Sequence, residues 1–160
     1  MSMDQQQAWR GWLDEGQTDL VNETYELVEI MQTRAVRGEK LHDYAFVVFP
    51  MAKAYEGMLK RWFFKLGLIT QQAFAGERFR VGKALNPDLP KRIRGRWWMY
   101  GQVVERCGEA AAVKLWRAWK ESRNWLFHYF SGQEQFISLD EAKEKIKLLE
   151  EAMEAAVACA

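Results

Sequence analysis

Cysteine, histidine and proline are scarce in this sequence of 160 residues, which contains two cysteines, two histidines and three prolines. Cys107 and Cys159 stand far apart, and neither has a histidine near it in sequence. Their spacing matches no zinc-ligand pattern and no disulfide framework. We therefore expect no bound metal, no cofactor, and a reducing, cytoplasmic setting.

Long apolar runs are also missing. No uncharged stretch reaches the roughly 18 apolar residues of a membrane-spanning helix, so no membrane partner is expected. The opening residues, MSMDQQQAWRGW, lack the basic and apolar regions of a signal peptide. The sequence contains no P-loop, nucleophile elbow, zinc-protease motif or dinucleotide-binding glycine pattern. If the protein is an enzyme, its catalytic groups must form a different arrangement.

The net charge of +1 conceals a basic segment, residues 78–96, in which Asp88 is the only acidic residue. The first 29 residues are acidic. Such an asymmetry can attract a polyanion, although the two regions could equally pair with each other or be solvated. The segment supplies six candidate RNA-binding residues: Arg78, Arg80, Lys83, Arg92, Arg94 and Arg96.

The apolar residues recur at spacings of three and four, which predicts helices, and no strand pattern is visible. We expect an all-α bundle of about five helices. Its helices are predicted over residues 19–37, 44–66, 92–107 and 109–130, with the last starting at Ser138, where Glu141 completes a capping box. The eight tryptophans fill a core or leave an aromatic surface for an interface.

Three further expectations concern organisation. Residues 1–18 are predicted to be an arm or a short helix, and residues 19–160 a single bundle domain. Residues 70–90 read as a loop because they contain glycine and proline breakers. Pro50 predicts a kink in the second helix; the alternative is that the helix begins there, after a short strand at residues 45–49.

The most informative stretch is KESRNWLFHY, residues 120–129, which sets polar residues into an aromatic helical pattern. Asn124 and His128 are four residues apart and should lie on one helix face. Arg123 and His128 are about 140° apart on an ideal helix. A site that uses both therefore needs the reach of the arginine, a nearby helix end, or a second copy of the helix.

Glu56 is predicted within the most apolar helix, where an unpaired charge is costly. We expect Arg123 to be its partner. The pair could be a structural salt bridge between two helices, or a carboxylate that orients a catalytic arginine; both can hold at once.

The pattern Arg-Asn-x-x-x-His at residues 123–128 matches the R-x4-H motif of HEPN domains. The runs YAFVVFPMAKAYEGMLKRWFF and LWRAWKESRNWLFHYF resemble the HEPN domain of the RnlA/LsoA-type toxins, and the resemblance extends from about residue 19 to the end. It implies a helical bundle that dimerises and cleaves RNA without a metal, at a site shared between the two chains. The toxins carry further domains that this chain has no room for.

The resemblance also implies roles for individual residues. Arg123 would stabilise charge on the scissile phosphate, Asn124 would orient the phosphate or the histidine, and His128 would be the general acid or base. Glu56 matches an acidic residue on an earlier helix of those domains. Related toxins carry a tyrosine two residues after the histidine, where this chain has Phe130, so regulation by tyrosine modification is not expected.

The predicted function is therefore a homodimeric endoribonuclease of a toxin–antitoxin or phage-defence system, with a proteinaceous antitoxin or inhibitor as a further partner. Tyr129 is a candidate RNA contact, although interface packing explains an aromatic there equally well. The alternative is a catalytically inactive HEPN-like module that binds nucleic acid or protein. A purely structural scaffold is the third possibility. His42 is predicted to be a surface residue.

Overall fold

The computed structural model describes residues 7–132 and 135–160, which are largely helical and contain no strand, so the predicted all-α fold is confirmed. Five of the helices have eight or more residues, and α3 and α4 are single turns. The helices are α1 (Glu15–Val36), α2 (Ala45–Lys65), α3 (Gln71–Ala75), α4 (Val81–Leu85), α5 (Tyr100–Cys107), α6 (Glu109–Trp119) and α7 (Leu139–Ala158).

The chain before α1 packs on the bundle. Trp9, in a short 3-10 helix, is 1% exposed. Asp14 caps α1 through a reciprocal capping box with Gln17, and its carboxylate also pairs with Arg61 of α2 at 2.8 Å. Helix α1 therefore begins at Glu15, and the predicted boundary between residues 18 and 19 falls inside it. The rest of the predicted arm, residues 1–6, lies outside the described residues.

Helix α2 is the centre of the bundle, and most of its residues are buried. Pro50 lies within the helix, so the alternative of a strand at residues 45–49 is wrong. The proline ring removes one backbone donor to the preceding turn. The buried apolar residues around it, Val47, Val48 and Met51, compensate because they pack fully into the core.

One buried and one half-buried tyrosine join helices that are distant in sequence. The Tyr55 hydroxyl of α2 donates to the Leu115 carbonyl of α6 at 2.8 Å, and full burial raises its pKa well above the usual value. The Tyr25 hydroxyl of α1 donates to Glu150 of α7. Burial, together with the hydrogen bond to that carboxylate, raises the pKa of Tyr25 to about 12. These bonds fix the register of α1, α2, α6 and α7.

The segment between α2 and α5 differs from its prediction. Residues 70–90 contain α3, which Thr70 caps, and α4, so they are not an irregular loop. The helix predicted over residues 92–107 begins only at Tyr100. A 3-10 turn, Lys91–Ile93, replaces its start because the side chain of Arg94 binds the carbonyl oxygens of Pro87 and Leu89 and holds the backbone extended at Arg94.

The ends of α5 and α7 are joined covalently. Ser138 starts α7 with the predicted capping box, and the helix runs to Ala158. Cys107 and Cys159, whose Cα atoms are 5.4 Å apart, form a disulfide, so the expectation of no disulfide framework is wrong. Because the two cysteines are bonded to each other, their spacing no longer supports a reducing setting. In the described ranges, no helix has the length and apolar character needed to cross a membrane.

Replacing Cys159 by serine is expected to lower the free energy of unfolding by about 2–4 kcal/mol, because the disulfide closes a long loop in the unfolded chain. Denaturant unfolding monitored by circular dichroism measures the change. Reduction with dithiothreitol is the control: it should lower the stability of the wild type to that of Cys159→Ser and leave the variant unchanged. Equal stability of the oxidised wild type and the variant would contradict this account.

Candidate active site and nucleic-acid interface

The end of α6 departs from regular helical geometry at the predicted motif. Residues Lys120–Asn124 form a π-helical turn, in which the Trp125 amide donates to the Lys120 carbonyl at 3.0 Å. Such turns contain one residue more than an α-helical turn and are frequent at functional sites. Residues 125–127 form a turn, and residues 128–130 have no helical structure. The predicted helix over residues 109–130 is therefore wrong beyond Asn124.

The π-turn separates two residues that were expected to share a helix face. Asn124 ends the turn, and its side chain makes no hydrogen bond within the described residues. His128 lies beyond the helix, is exposed, and has its ring 5.9 Å from that of Phe130. It lines a hollow of about 200 Å³ together with Asp43 and Phe136. The predicted stacking of Asn124 and His128 on one face of a helix is therefore wrong.

The predicted ion pair between Arg123 and Glu56 is confirmed. The Arg123 Nε atom lies 3.2 Å from Glu56 Oε2, and the two side chains are 37% and 31% exposed. The guanidinium also lies 5.7 Å from the ring centroid of Trp119. Because water reaches both charges, the pair contributes about 1 kcal/mol or less to stability. The terminal nitrogens of Arg123 have no hydrogen-bond partner within the described residues and remain available to a ligand.

The segment before His128 packs on the same face of α2 as Arg123, but further along it. The Phe127 ring meets the edge of Phe49, with their centroids 5.2 Å apart. Phe49 and Glu56 are seven residues apart, which is roughly 10 Å along a helix. Each chain therefore anchors Arg123 and the residue preceding His128 two helical turns apart.

The chain after the motif is fixed beside the start of α2. The Asp43 carboxylate accepts hydrogen bonds from the backbone amides of Ala45 at 3.1 Å and Ile137 at 3.0 Å. The exposed ring of His42 lies 4.2 Å from the ring of Phe136, so the prediction that His42 is a surface residue is confirmed. Residues 135–137 are thereby held next to His128.

Large aromatic side chains remain exposed around this site. We call them the aromatic surface, and their exposed fractions range from 39% to 71%. The aromatic surface consists of Phe46, Phe49, Trp125, Tyr129, Phe130 and Phe136. Aromatic groups exposed together in this way are typical of an interaction site. Tyr129, a predicted RNA contact, is the most exposed of the six.

Glu121 holds the π-turn to α7 and was missed by the sequence reading. Its carboxylate accepts from Arg117 at 2.7 Å and from Lys145 at 3.0 Å, and its side chain is 20% exposed. Burial opposes ionisation, but the hydrogen bonds from Arg117 and Lys145 outweigh it and lower the pKa of Glu121. The i,i+4 spacing of Arg117 and Glu121 was a signal for half of this triad; Lys145 was not visible in sequence.

The basic segment divides into structural and available cations. Arg94 stacks 4.0 Å from the Trp98 ring centroid and binds two carbonyl groups, so it has a structural role. Arg80 donates to the carbonyls of Glu77 and Phe79. Arg92 is exposed on the 3-10 turn. Arg78, Lys83 and Arg96 line adjoining hollows and have no ion pair within the described residues.

No family model, no curated protein and no solved structure matches the chain. Within residues 7–132 and 135–160, no three histidine, cysteine, aspartate or glutamate side chains lie close enough together to hold a metal ion.

Replacing Glu121 by glutamine should reduce stability by about 1–2 kcal/mol at neutral pH, since two charge-assisted hydrogen bonds are lost. The pKa of Glu121 is lower in the folded state, so its contribution is present above the unfolded-state pKa and disappears as the pH falls through the folded-state pKa. Thermal unfolding between pH 7 and about pH 3, which spans carboxylate titration, measures the stability of wild type and variant. The difference between them should shrink as the pH falls. Glu144→Gln, an exposed carboxylate on α7 without a hydrogen bond, is the control. A constant difference across the pH range would contradict the assignment.

Proposed function

We propose that the chain is a HEPN-type, metal-independent endoribonuclease that cleaves RNA as a homodimer. The observation that carries the proposal is the state of Arg123. Its guanidinium is oriented by Glu56 and Trp119, yet it is 37% exposed and keeps its terminal nitrogens unpaired. A guanidinium held in this way is suited to the oxygens of a phosphodiester.

RNA cleavage without a metal requires a base for the 2′-hydroxyl, an acid for the leaving 5′-oxygen, and stabilisation of the phosphorane charge. Histidine serves in either proton-transfer role near neutral pH, and His128 is exposed to a substrate. Arg123 supplies the charge stabilisation. The expected products carry 2′,3′-cyclic phosphate and 5′-hydroxyl ends.

A second copy of the chain accounts for two features. One chain supplies one histidine, and it anchors the residue before this histidine about two turns of α2, roughly 10 Å, from Glu56 and Arg123. A two-fold axis through the aromatic surface would bring two copies of Arg123 and His128 together. The same contact would bury aromatic side chains that are costly to leave in water.

The biological setting follows from the same proposal. A ribonuclease of this kind, in a toxin–antitoxin or phage-defence system, requires an inhibitory partner, and a proteinaceous antitoxin could cover the aromatic surface. Its RNA substrate would be cytoplasmic. These assignments depend on the HEPN resemblance of residues 123–128.

A second candidate function is RNA binding without cleavage. It is favoured by the basic segment, in which Arg78, Lys83 and Arg96 have no ion pair within the described residues. Such cations provide affinity for a polyanion whether or not His128 is catalytic.

Arg123→Ala and His128→Ala are each expected to lower RNA cleavage about 100-fold or more, since each removes a group that acts in the transition state. The assay uses total RNA in EDTA, with mapping of the 5′ and 3′ ends. His42→Ala is the matched control because His42 is the other histidine, is exposed and also contacts an aromatic ring. Full activity of His128→Ala would sink the proposal. Absence of cleavage by folded wild type would leave the RNA-binding candidate.

Phe49→Glu is expected to convert the dimer into a monomer, because it places a charge in the centre of the aromatic surface. Light scattering should show twice the chain mass for wild type and the single-chain mass for the variant. Val113→Glu is the control: Val113 is 46% exposed, close to the 47% of Phe49, but lies outside the aromatic surface. A monomeric wild type, or an equal effect of both variants, would contradict the proposed axis.

A further inference from the structure

Two adjoining hollows lie against the basic segment. Their volumes are about 390 Å³ and 320 Å³, and they share Arg78, Arg96 and Trp97. Each is within the size range of small-molecule sites. The larger hollow, which we call the polar hollow, also contains Thr70, Gln72 and Glu77. The smaller one, the cationic hollow, also contains Arg80 and Lys83 and has no acidic lining residue.

Three of the four cations of the cationic hollow are positioned by the fold. In α4, Val81, Gly82, Ala84 and Leu85 are all buried, so Lys83 is the residue left to face solvent. The Arg96 guanidinium lies 4.6 Å from the ring centroid of Trp97. Arg80 is anchored by the carbonyls of Glu77 and Phe79. Four positive charges therefore surround one hollow without a carboxylate, and their mutual repulsion is relieved when an anion binds.

The two tryptophans of the hollow are not equivalent. An arginine lies over each ring, Arg94 over Trp98 at 4.0 Å and Arg96 over Trp97, but Trp98 borders only the cationic hollow, and its indole nitrogen donates to the Asn86 carbonyl at 2.8 Å. Trp97 is half-buried, borders both hollows, and meets Phe79 edge to face at a centroid distance of 6.2 Å. Trp97 is thus an aromatic group placed between a cationic and a polar compartment.

We propose that the two hollows form a binding site for one unpaired nucleotide of an RNA chain. The phosphate occupies the cationic hollow among Arg78, Lys83 and Arg96. The base packs against Trp97, and the polar hollow accepts the sugar and the base edge. Stacking on aromatic side chains combined with phosphate contacts is the usual means of holding single-stranded nucleic acid. The inference takes its ligand class from the proposed function but does not depend on cleavage.

Binding of a fluorescein-labelled single-stranded RNA oligonucleotide, followed by anisotropy in EDTA, tests the site. Arg78→Gln and Lys83→Gln should each raise the Kd severalfold and lower the slope of log Kd against log salt by about one. Lys91→Gln is the matched control, since Lys91 is an exposed cation of the same segment that lines neither hollow. It should leave the Kd within about twofold of the wild type. Adenosine monophosphate should compete better than equal concentrations of inorganic phosphate.

Three outcomes would overturn the inference. Equal weakening by Lys91→Gln would mean a diffuse electrostatic field instead of a site. Competition by poly-glutamate as strong as that by RNA would indicate an acidic protein partner. Absence of RNA binding by folded wild type would exclude the site outright. The same variants in the cleavage assay separate this site from the catalytic one: if His128→Ala binds RNA normally but does not cut, while Lys83→Gln binds weakly, both proposals stand independently.

Discussion

The enclosure of α2 constrains the rest of the structure. Neighbouring helices cover most of this helix, so a polar group on its buried side must find a partner. The buried hydroxyl of Tyr55 donates to the Leu115 carbonyl of α6. The next residue, Glu56, lies at the edge of the buried side and pairs with Arg123 in the π-helical turn that follows Trp119, the last residue of α6. Two adjacent residues of α2 therefore fix both where α6 lies and how its end presents the arginine.

Trp119 connects the Glu56–Arg123 pair to the cationic hollow. A Cβ atom added at Gly82 would lie 2.1 Å from the Trp119 ring. The indole therefore occupies the space that any side chain at position 82 would need. Substitution there would displace α4, which carries Lys83, or the indole, which lies against Arg123. The position of Lys83 in the cationic hollow therefore depends on the Trp119 ring. The same ring supports Arg123, the candidate catalytic arginine.

The sequence was sufficient to predict features that depend on local patterns. Helical periodicity predicted the long helices, and S-x-x-E predicted the start of α7. Because Glu56 is a carboxylate in an apolar helix, it was expected to need a cationic partner, and Arg123 was predicted. Apart from the Glu56–Arg123 pair, features that depend on long-range contacts were not predictable. The π-turn rests on Glu121, whose partner Lys145 is on another helix. The disulfide joins Cys107 to Cys159, and their spacing in sequence carried no information about their closeness. The catalytic roles remain predictions.

The two proposed surfaces can act together because they do not compete for residues. The aromatic surface lies along the first half of α2, residues 125–130 and Phe136, whereas the hollows are lined by residues of the segments 70–83 and 95–98. A second chain could cover the aromatic side chains without using any residue that lines the hollows. In the proposed dimer, the hollows of each chain would hold RNA by a phosphate and a base, and the strand would be cut where the paired copies of Arg123 and His128 meet. Affinity would come from the hollows and rate from the axis, so replacing Lys83 should change mainly the affinity and replacing His128 mainly the rate. Trp119 is the exception, because its ring packs on Gly82 beside Lys83 and also lies against Arg123, so its replacement should affect both.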